Sequence, residues 1–265
     1  MLSLPSLSFG GHMAMDEKSV VGGDSQGEHI MSKEDLADTH IIGQVDHKFV
    51  CCFAASMQSI ALVDQHACGE RIELEKIFEA LAAGCHDDKL LSTAVLSPAA
   101  RVLLTPGQHA ALVKYQTLVS KWRFHVDVSS AAMAPDGSIR VKVHSVPKVA
   151  SYQAAPEELP FFLQYLETQK EVHFPFPVPH NCRKQLVYQA CRRAIKFGDP
   201  LTDLQQADLL TRIKQCKYPF QCAHGRPTVY PLFTLDGPDA CAGDSRHEDS
   251  EGKSAGWERE LGPID

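Results

Sequence analysis

From residue 39 onward, short apolar runs alternate with stretches in which apolar residues recur at helical spacing. Residues 41–45, a turn at Asp46-His47, and residues 48–54 predict a β-hairpin, and 59–63 predicts a third, buried strand. Leu74, Ile77, Phe78 and Leu81 then recur every three or four positions, which predicts an amphipathic helix over about 67–83, ended by Gly84. Asp64 stands at the strand-to-helix junction, where a carboxylate can meet helix N–H groups or a cation.

Residues 89–148 change character. Apolar runs at 93–96, 101–104, 124–128 and 139–146 surround one helix near 107–121, and Asp136-Gly137 is a hairpin-type turn signal. A further helix is predicted over 156–168, with Leu159, Phe162, Leu163 and Leu166 as its stripe. The prolines of 174–179 form a linker. The next helix spans 180–197, with Val187, Ala190, Cys191 and Ala194 inward, and Gly198-Asp199-Pro200 stops it. Thr202 caps a helix over 203–217, residues 220–227 form a tight loop, and 228–232 is a last short strand. Residues 1–38 and 236–265 lack apolar periodicity and are expected to be disordered.

Composition adds three constraints. The chain of 265 residues, 44% hydrophobic, is long enough for one large or two small domains. No run of 18 apolar residues exists, so no membrane association is expected. The net charge of −7 is unevenly placed: residues 1–38 carry −5, residues 236–265 carry −6, and the body 39–235 carries +4. A mildly basic body is compatible with nucleic acid without demanding it. Nine cysteines without disulfide-framework spacing point to a reducing compartment with thiols available for metal.

Candidate chemistry gathers at three places. At about 100° per residue, His66 and Glu70 share the inward sector of the first helix, while Glu75 falls roughly 140° from Glu70. Cys191 is an inward thiol on the 180–197 helix. Cys222-Ala223-His224 puts a thiol and an imidazole on one loop, with Gly225 allowing a sharp turn. Taken alone, a His/Glu pair four apart is an ordinary surface or satisfied core pair, Cys191 an ordinary core cysteine, and Cys-X-His a weak signal. Together they are the ligand types zinc accepts.

These residues carry a family resemblance. Residues 64–75 match D-Q-H-A-x-x-E-x-x-x-x-E, Ala190-Cys191-Arg192 matches A/S-C-K/R, and residues 222–227 match C-x-H-G-R-P. In this order and rough spacing the three motifs resemble the nuclease-active MutL proteins of DNA mismatch repair. The likeness spans about 39–235 and their C-terminal dimerisation and endonuclease region. The wording of 194–197 and 220–224 is most similar to the eukaryotic MutL-gamma subunit, MutL homologue three.

The resemblance implies an α/β fold. A dimerisation subdomain is split into 39–90 and 180–235, with an α+β external subdomain inserted at 91–179. It implies His66, Glu70, Cys191, Cys222 and His224 as metal ligands, and Asp64 and Glu70 as the catalytic carboxylates. Zn²⁺ would sit with the thiols and imidazoles, and Mn²⁺ or Mg²⁺ would serve nicking of double-stranded DNA. The implied partner is MutL homologue one, whose C-terminus completes the site, and the implied location is the nucleus.

Two departures qualify the likeness. The family's ATPase motifs are not in this sequence, so ATP is not expected to bind this chain. The sliding-clamp motif Q-x-x-L/I-x-P stands as residues 93–98, Thr-Ala-Val-Leu-Ser-Pro, without its glutamine. The rival expectation is a dimerisation module whose zinc only holds the fold, without nuclease activity.

Overall fold

The computed structural model describes residues 19–24, 27–84, 88, 90–168 and 177–235. It begins with an antiparallel hairpin, β1 (Ser19–Asp24) and β2 (Gly27–Ser32), followed by a one-turn helix, α1 (Lys33–Ala37). These elements lie in the 1–38 stretch expected to be disordered, and that expectation is corrected for its described part. Ser32 and Asp35 close a reciprocal capping box that satisfies N–H groups of the first turn. Met31 and Leu36 are then fully buried. Two isolated apolar anchors make no periodic pattern, so only the surface they meet decides their burial. Residues 1–18 and 236–265 lie outside the described residues.

The main chain path continues as β3 (Thr39–Val45), β4 (Phe49–Ala54), β5 (Ser59–Asp64) and the long helix α2 (Gln65–Ala83). Asp46 and His47 both take positive φ between β3 and β4, the backbone of a tight primed hairpin turn. Next come β6 (Ser92–Leu104), α3 (Pro106–Lys114), α4 (Gln116–Lys121), β7 (His125–Met133), β8 (Ile139–Val149), the two-residue β9 (Tyr152–Gln153) and α5 (Glu158–Thr168). The path ends with α6 (His180–Arg193), α7 (Asp203–Gln215) and β10 (Val229–Thr234). One antiparallel sheet runs β10-β5-β4-β3 and a second runs β6-β8-β7, with β9 on β8. The result is a mixed α/β fold with antiparallel sheets. No helix among the described residues is long and apolar enough to cross a membrane.

Several elements differ from the sequence pattern. The runs at 93–96 and 101–104 are one strand, β6, whose register shifts between Val95 and Ala100. Its residues 93–98 include an exposed Val95 and a Leu96 that packs on the core. The single helix expected near 107–121 is two, because Tyr115 leaves helical geometry. Helix α6 stops at Arg193 instead of continuing to Phe197, because the backbone after it is captured by α2, as described below. In the linker, Pro177 accepts a hydrogen bond from the Trp122 indole (2.8 Å), and Val178 is buried.

Two hydrophobic cores flank α2. Its first half sends Cys68 and Ile72 into a core with Val50, Ala61, Val63, Leu209 and Ile213. Its second half sends Leu74, Ile77, Phe78 and Leu81 into a core with Val102, Val143, Leu163 and Leu186. The apolar stripe and the inward Glu70 stand as the pattern predicted, with Lys76 and Glu79 exposed on the other side, while Gln65 and Glu75 are buried as well. Nineteen residues give it a length of about 28 Å. A rigid rod of that length, held in both cores, can position polar groups at one place along its side.

Candidate metal centre

Asp64 ends β5 and is the N-cap of α2, its carboxylate accepting the Ala67 N–H at 2.8 Å. Burial pushes the Asp64 carboxyl up, against hydrogen bonds from the Ala67 and His66 N–H groups that lower it. The next two motif residues grip the segment that follows α6. Gln65, fully buried, donates to the carbonyls of Lys196 (2.7 Å) and Asp199 (3.2 Å), and Gln44 donates to Gln65 (2.7 Å). His66 donates through Nδ1 to the Ile195 carbonyl at 2.7 Å, and Phe197 packs its ring on the imidazole. A carbonyl oxygen only accepts, so this bond puts a proton on Nδ1, and in the neutral ring the Nε2 lone pair then faces Glu70.

Gly69 explains how the two helices come so close. A Cβ built there would stand 3.1 Å from the Ile195 nitrogen and 3.2 Å from the Ala194 Cβ. The residue that weakens α2 as a helix former is the one that lets α2 touch the end of α6. Cys191, in the last turn of α6, is thereby brought to Glu70. It is half-buried instead of fully inward, while Cys182, Leu186 and Ala190 make the fully buried stripe of that helix.

Glu70 is the centre of the cluster. Its side chain is 1% exposed, with Oε1 3.2 Å from His66 Nε2 and Oε2 accepting from His224 Nδ1 at 2.9 Å. Ligand atoms of His66, Glu70 and Cys191 lie within 4.8 Å of one another, and so do those of Glu70, Cys222 and His224. Five of the six candidate residues thus fall into two groups that share Glu70. Asp64 belongs to neither group. Glu75 points to another element, as its angle on the helix predicted, and is absent from both groups.

The loop half of the cluster is shaped by its backbone. Gly225 at φ +85° closes a turn in which Gly225 N–H donates to the Cys222 carbonyl at 3.1 Å. The Cys222 sulfur accepts the N–H groups of His224 (3.2 Å) and Arg226 (3.4 Å). Burial pushes the Cys222 thiol up, whereas these two N–H groups pull it down by favouring the thiolate. The hydrogen bond to Glu70 is the main cause that raises the Cys191 thiol, and burial adds to it. For Glu70, burial would raise the carboxyl, but hydrogen bonds with Cys191, His224 and Cys222 outweigh it and hold the carboxyl low.

One atom is left over. Glu70 Oε1 is buried and has no hydrogen-bond partner, and His66 Nε2 lies 3.2 Å from it. Two facing acceptors in a buried site are costly, and either a proton on the imidazole or a metal cation between them relieves that cost. The donor set of two imidazoles, two sulfurs and one carboxylate suits zinc through nitrogen and sulfur, and a harder ion through oxygen.

Sequence reasoning left Gln65 and Arg71 without roles. Exposed Arg192, Arg193, Lys196 and Arg226 surround this region, and Lys196 and Arg226 act on the Cys191 thiol through their charge.

No family model matches the chain. It is similar to DNA mismatch repair protein MLH3 of Arabidopsis thaliana, 29% identical over 214 residues, covering 77% of this chain and 18% of that protein. It is similar to DNA mismatch repair protein Mlh3 of Homo sapiens, 29% identical over 229 residues, covering 74% of this chain and 15% of that protein. Mismatch repair endonuclease PMS2 of Gallus gallus is 25% identical over 206 residues, covering 78% of this chain and 22% of that protein.

Proposed function

This chain is a homologue of the MutL proteins, most like their MLH3 members, and from that premise we propose that it is the C-terminal, metal-dependent DNA-nicking part of a MutL heterodimer acting in mismatch repair, meiotic crossover formation or both. The observation that carries this reading is the buried Glu70 carboxylate, ringed by His66, Cys191, Cys222 and His224 and left with one unpartnered oxygen.

In this reading His66, Cys191, Cys222 and His224 hold Zn²⁺, and Glu70 reaches a second, harder ion, Mn²⁺ or Mg²⁺, through its oxygens. When bound, such an ion supplies an activated water and stabilises charge on a phosphoryl oxygen. The protein's own residues set the geometry. Ile195 fixes the His66 ring through Nδ1, the 222–225 turn aims the Cys222 sulfur, and Gly69 lets α6 deliver Cys191. Arg192, Arg193, Lys196 and Arg226 offer cations to the phosphates of double-stranded DNA at the rim. Asp64, through its cap on α2, orients the helix turn that carries His66 and Glu70.

The partner is a second MutL subunit, MutL homologue one, engaged by a dimerisation subdomain made of 39–90 and 180–235. The inserted 91–179 is external, and the complex works in the nucleus. The second reading is a dimerisation module whose zinc only holds the fold. One observation favours it: Glu70 is the only carboxylate in either ligand group, because Asp64 is engaged as a helix cap.

One experiment separates the two. The heterodimer is incubated with supercoiled plasmid and Mn²⁺, and its zinc is measured by mass spectrometry. The nuclease reading expects wild-type nicking, loss of nicking with retained dimerisation in Glu70→Gln and Asp64→Asn, and reduced zinc in Cys222→Ser. Zinc-loaded wild-type heterodimer that does not nick establishes the structural reading, and a metal-free wild type refutes both.

A further inference from the structure

Helix α2 grips the ligand loop with two residues that the metal cluster does not use. Glu75 is buried, and its carboxylate accepts the backbone N–H groups of Lys217 (2.6 Å) and Tyr218 (2.9 Å), just past the end of α7. Arg71, one turn earlier, donates through Nε to the Gln221 carbonyl and through Nη2 to the Cys222 carbonyl at 3.0 Å. Its guanidinium also lies over the Tyr218 ring, 5.8 Å from the centroid. The two side chains face each other at 3.8 Å, too far for a hydrogen bond, so their close partners are all backbone atoms of one loop.

We propose that Arg71 and Glu75 are positioning residues: a latch that fixes the approach to Cys222 and so sets the place of Cys222 and His224 relative to Glu70. The inference rests on the metal reading of that cluster. Arg71 is the covalent neighbour of Glu70 on a helix held in both cores, so whatever Arg71 holds is held in register with Glu70. Phe220 also anchors the loop by burial, but apolar burial is non-directional and does not set an angle. Four charge-assisted hydrogen bonds to residues 217, 218, 221 and 222 do set one.

The chemistry demands these side-chain types. A carboxylate accepts two N–H groups side by side, whereas a glutamine turns its own NH₂ against one of them. A guanidinium forks to two carbonyls, and a lysine does not reproduce the fork. A buried ion pair is costly to desolvate and adds little stability for that cost, so orientation is the gain it offers here.

The test uses the full chain loaded with Co²⁺ in place of zinc. Absorption reports the thiolate-to-metal charge-transfer band, and competition with a chelator reports affinity. Arg71→Met and Glu75→Gln are expected to weaken Co²⁺ binding about 10–100-fold and to lose the part of the band that Cys222→Ser also loses. Arg71→Lys, which keeps the charge opposite Glu75, falls between. Glu73→Gln on the same helix, whose partners are Lys76 and Arg212, leaves both readouts unchanged. Wild-type affinity and spectrum in Arg71→Met and Glu75→Gln overturn the latch.

If the wild type takes up no Co²⁺, the metal reading fails, and hydrogen exchange then judges the latch separately. Faster exchange across 216–226 in the variants, with β4 and β5 unchanged, sustains it; unchanged exchange overturns it.

Discussion

Replacing Gly69 with alanine sets two effects of known sign against each other. Inside a helix, Gly→Ala is favourable by about 1 kcal/mol, because alanine loses less backbone entropy. Here the added Cβ meets the Ile195 nitrogen at 3.1 Å, with the Ala194 Cβ at 3.2 Å and its Cα at 3.4 Å. Two of the three are backbone atoms, and none is the free end of a flexible side chain, so relief requires a helix or the 194–195 segment to move. Overpacking of a tight contact costs about 1–3 kcal/mol. The clash wins or breaks even, and Gly69→Ala is expected to destabilise by about 0–2 kcal/mol. The movement also strains the bond from His66 to the Ile195 carbonyl, so metal affinity falls even where the stability change is small. Urea unfolding measures the first effect as a lower midpoint at constant slope. Co²⁺ competition measures the second. A variant stabilised by the full helix-propensity gain, with unchanged Co²⁺ affinity, would falsify the idea that α2 and α6 meet at Gly69.

Two further outcomes are expected. A chain trimmed to 39–236 loses Met31 and Leu36 from the core that also holds Ile213, at about 1.5–3 kcal/mol per buried side chain. A chain trimmed to 27–236 keeps both, so comparing the two thermal transitions tests whether the α1 segment is part of the fold; equal midpoints would remove it. The double variant Arg192→Gln/Lys196→Gln should bind metal-free duplex DNA more weakly. The slope of log affinity against log salt should become shallower by about 2 if both cations contact phosphates, and an unchanged slope places the DNA elsewhere.

Much of the fold was legible because its causes are local. The 46–47 turn, the Asp64 junction, the Gly84 stop and the Thr202 cap each depend on residues within a few positions. All stand where the pattern predicted them. Pairs within the candidate cluster were legible for the same reason: His66 and Glu70 share a helix side, and Cys222 and His224 share a turn.

What sequence could not decide is what each helix meets. The pattern of α2 put Glu70 inward but gave no reason to bury Gln65 or Glu75, which are buried because the helix runs between two cores. Helix α6 had the apolar spacing to reach Phe197, yet Ala194 turns to extended backbone, and the carbonyls of Ile195, Lys196 and Asp199 then accept from His66 and Gln65. The 27–38 segment looked polar, and one capping box and two anchors ordered it. Asp64, implied as a catalytic carboxylate, caps α2 and stands outside both ligand groups, while Arg71 and Glu75 reach backbone atoms about 140–150 residues away. Spacing along the chain reports which side chains share a face. Which backbone groups come within reach of that face, and whether water is excluded from it, depends on packing between segments distant in sequence, and that is decided only when the chain folds.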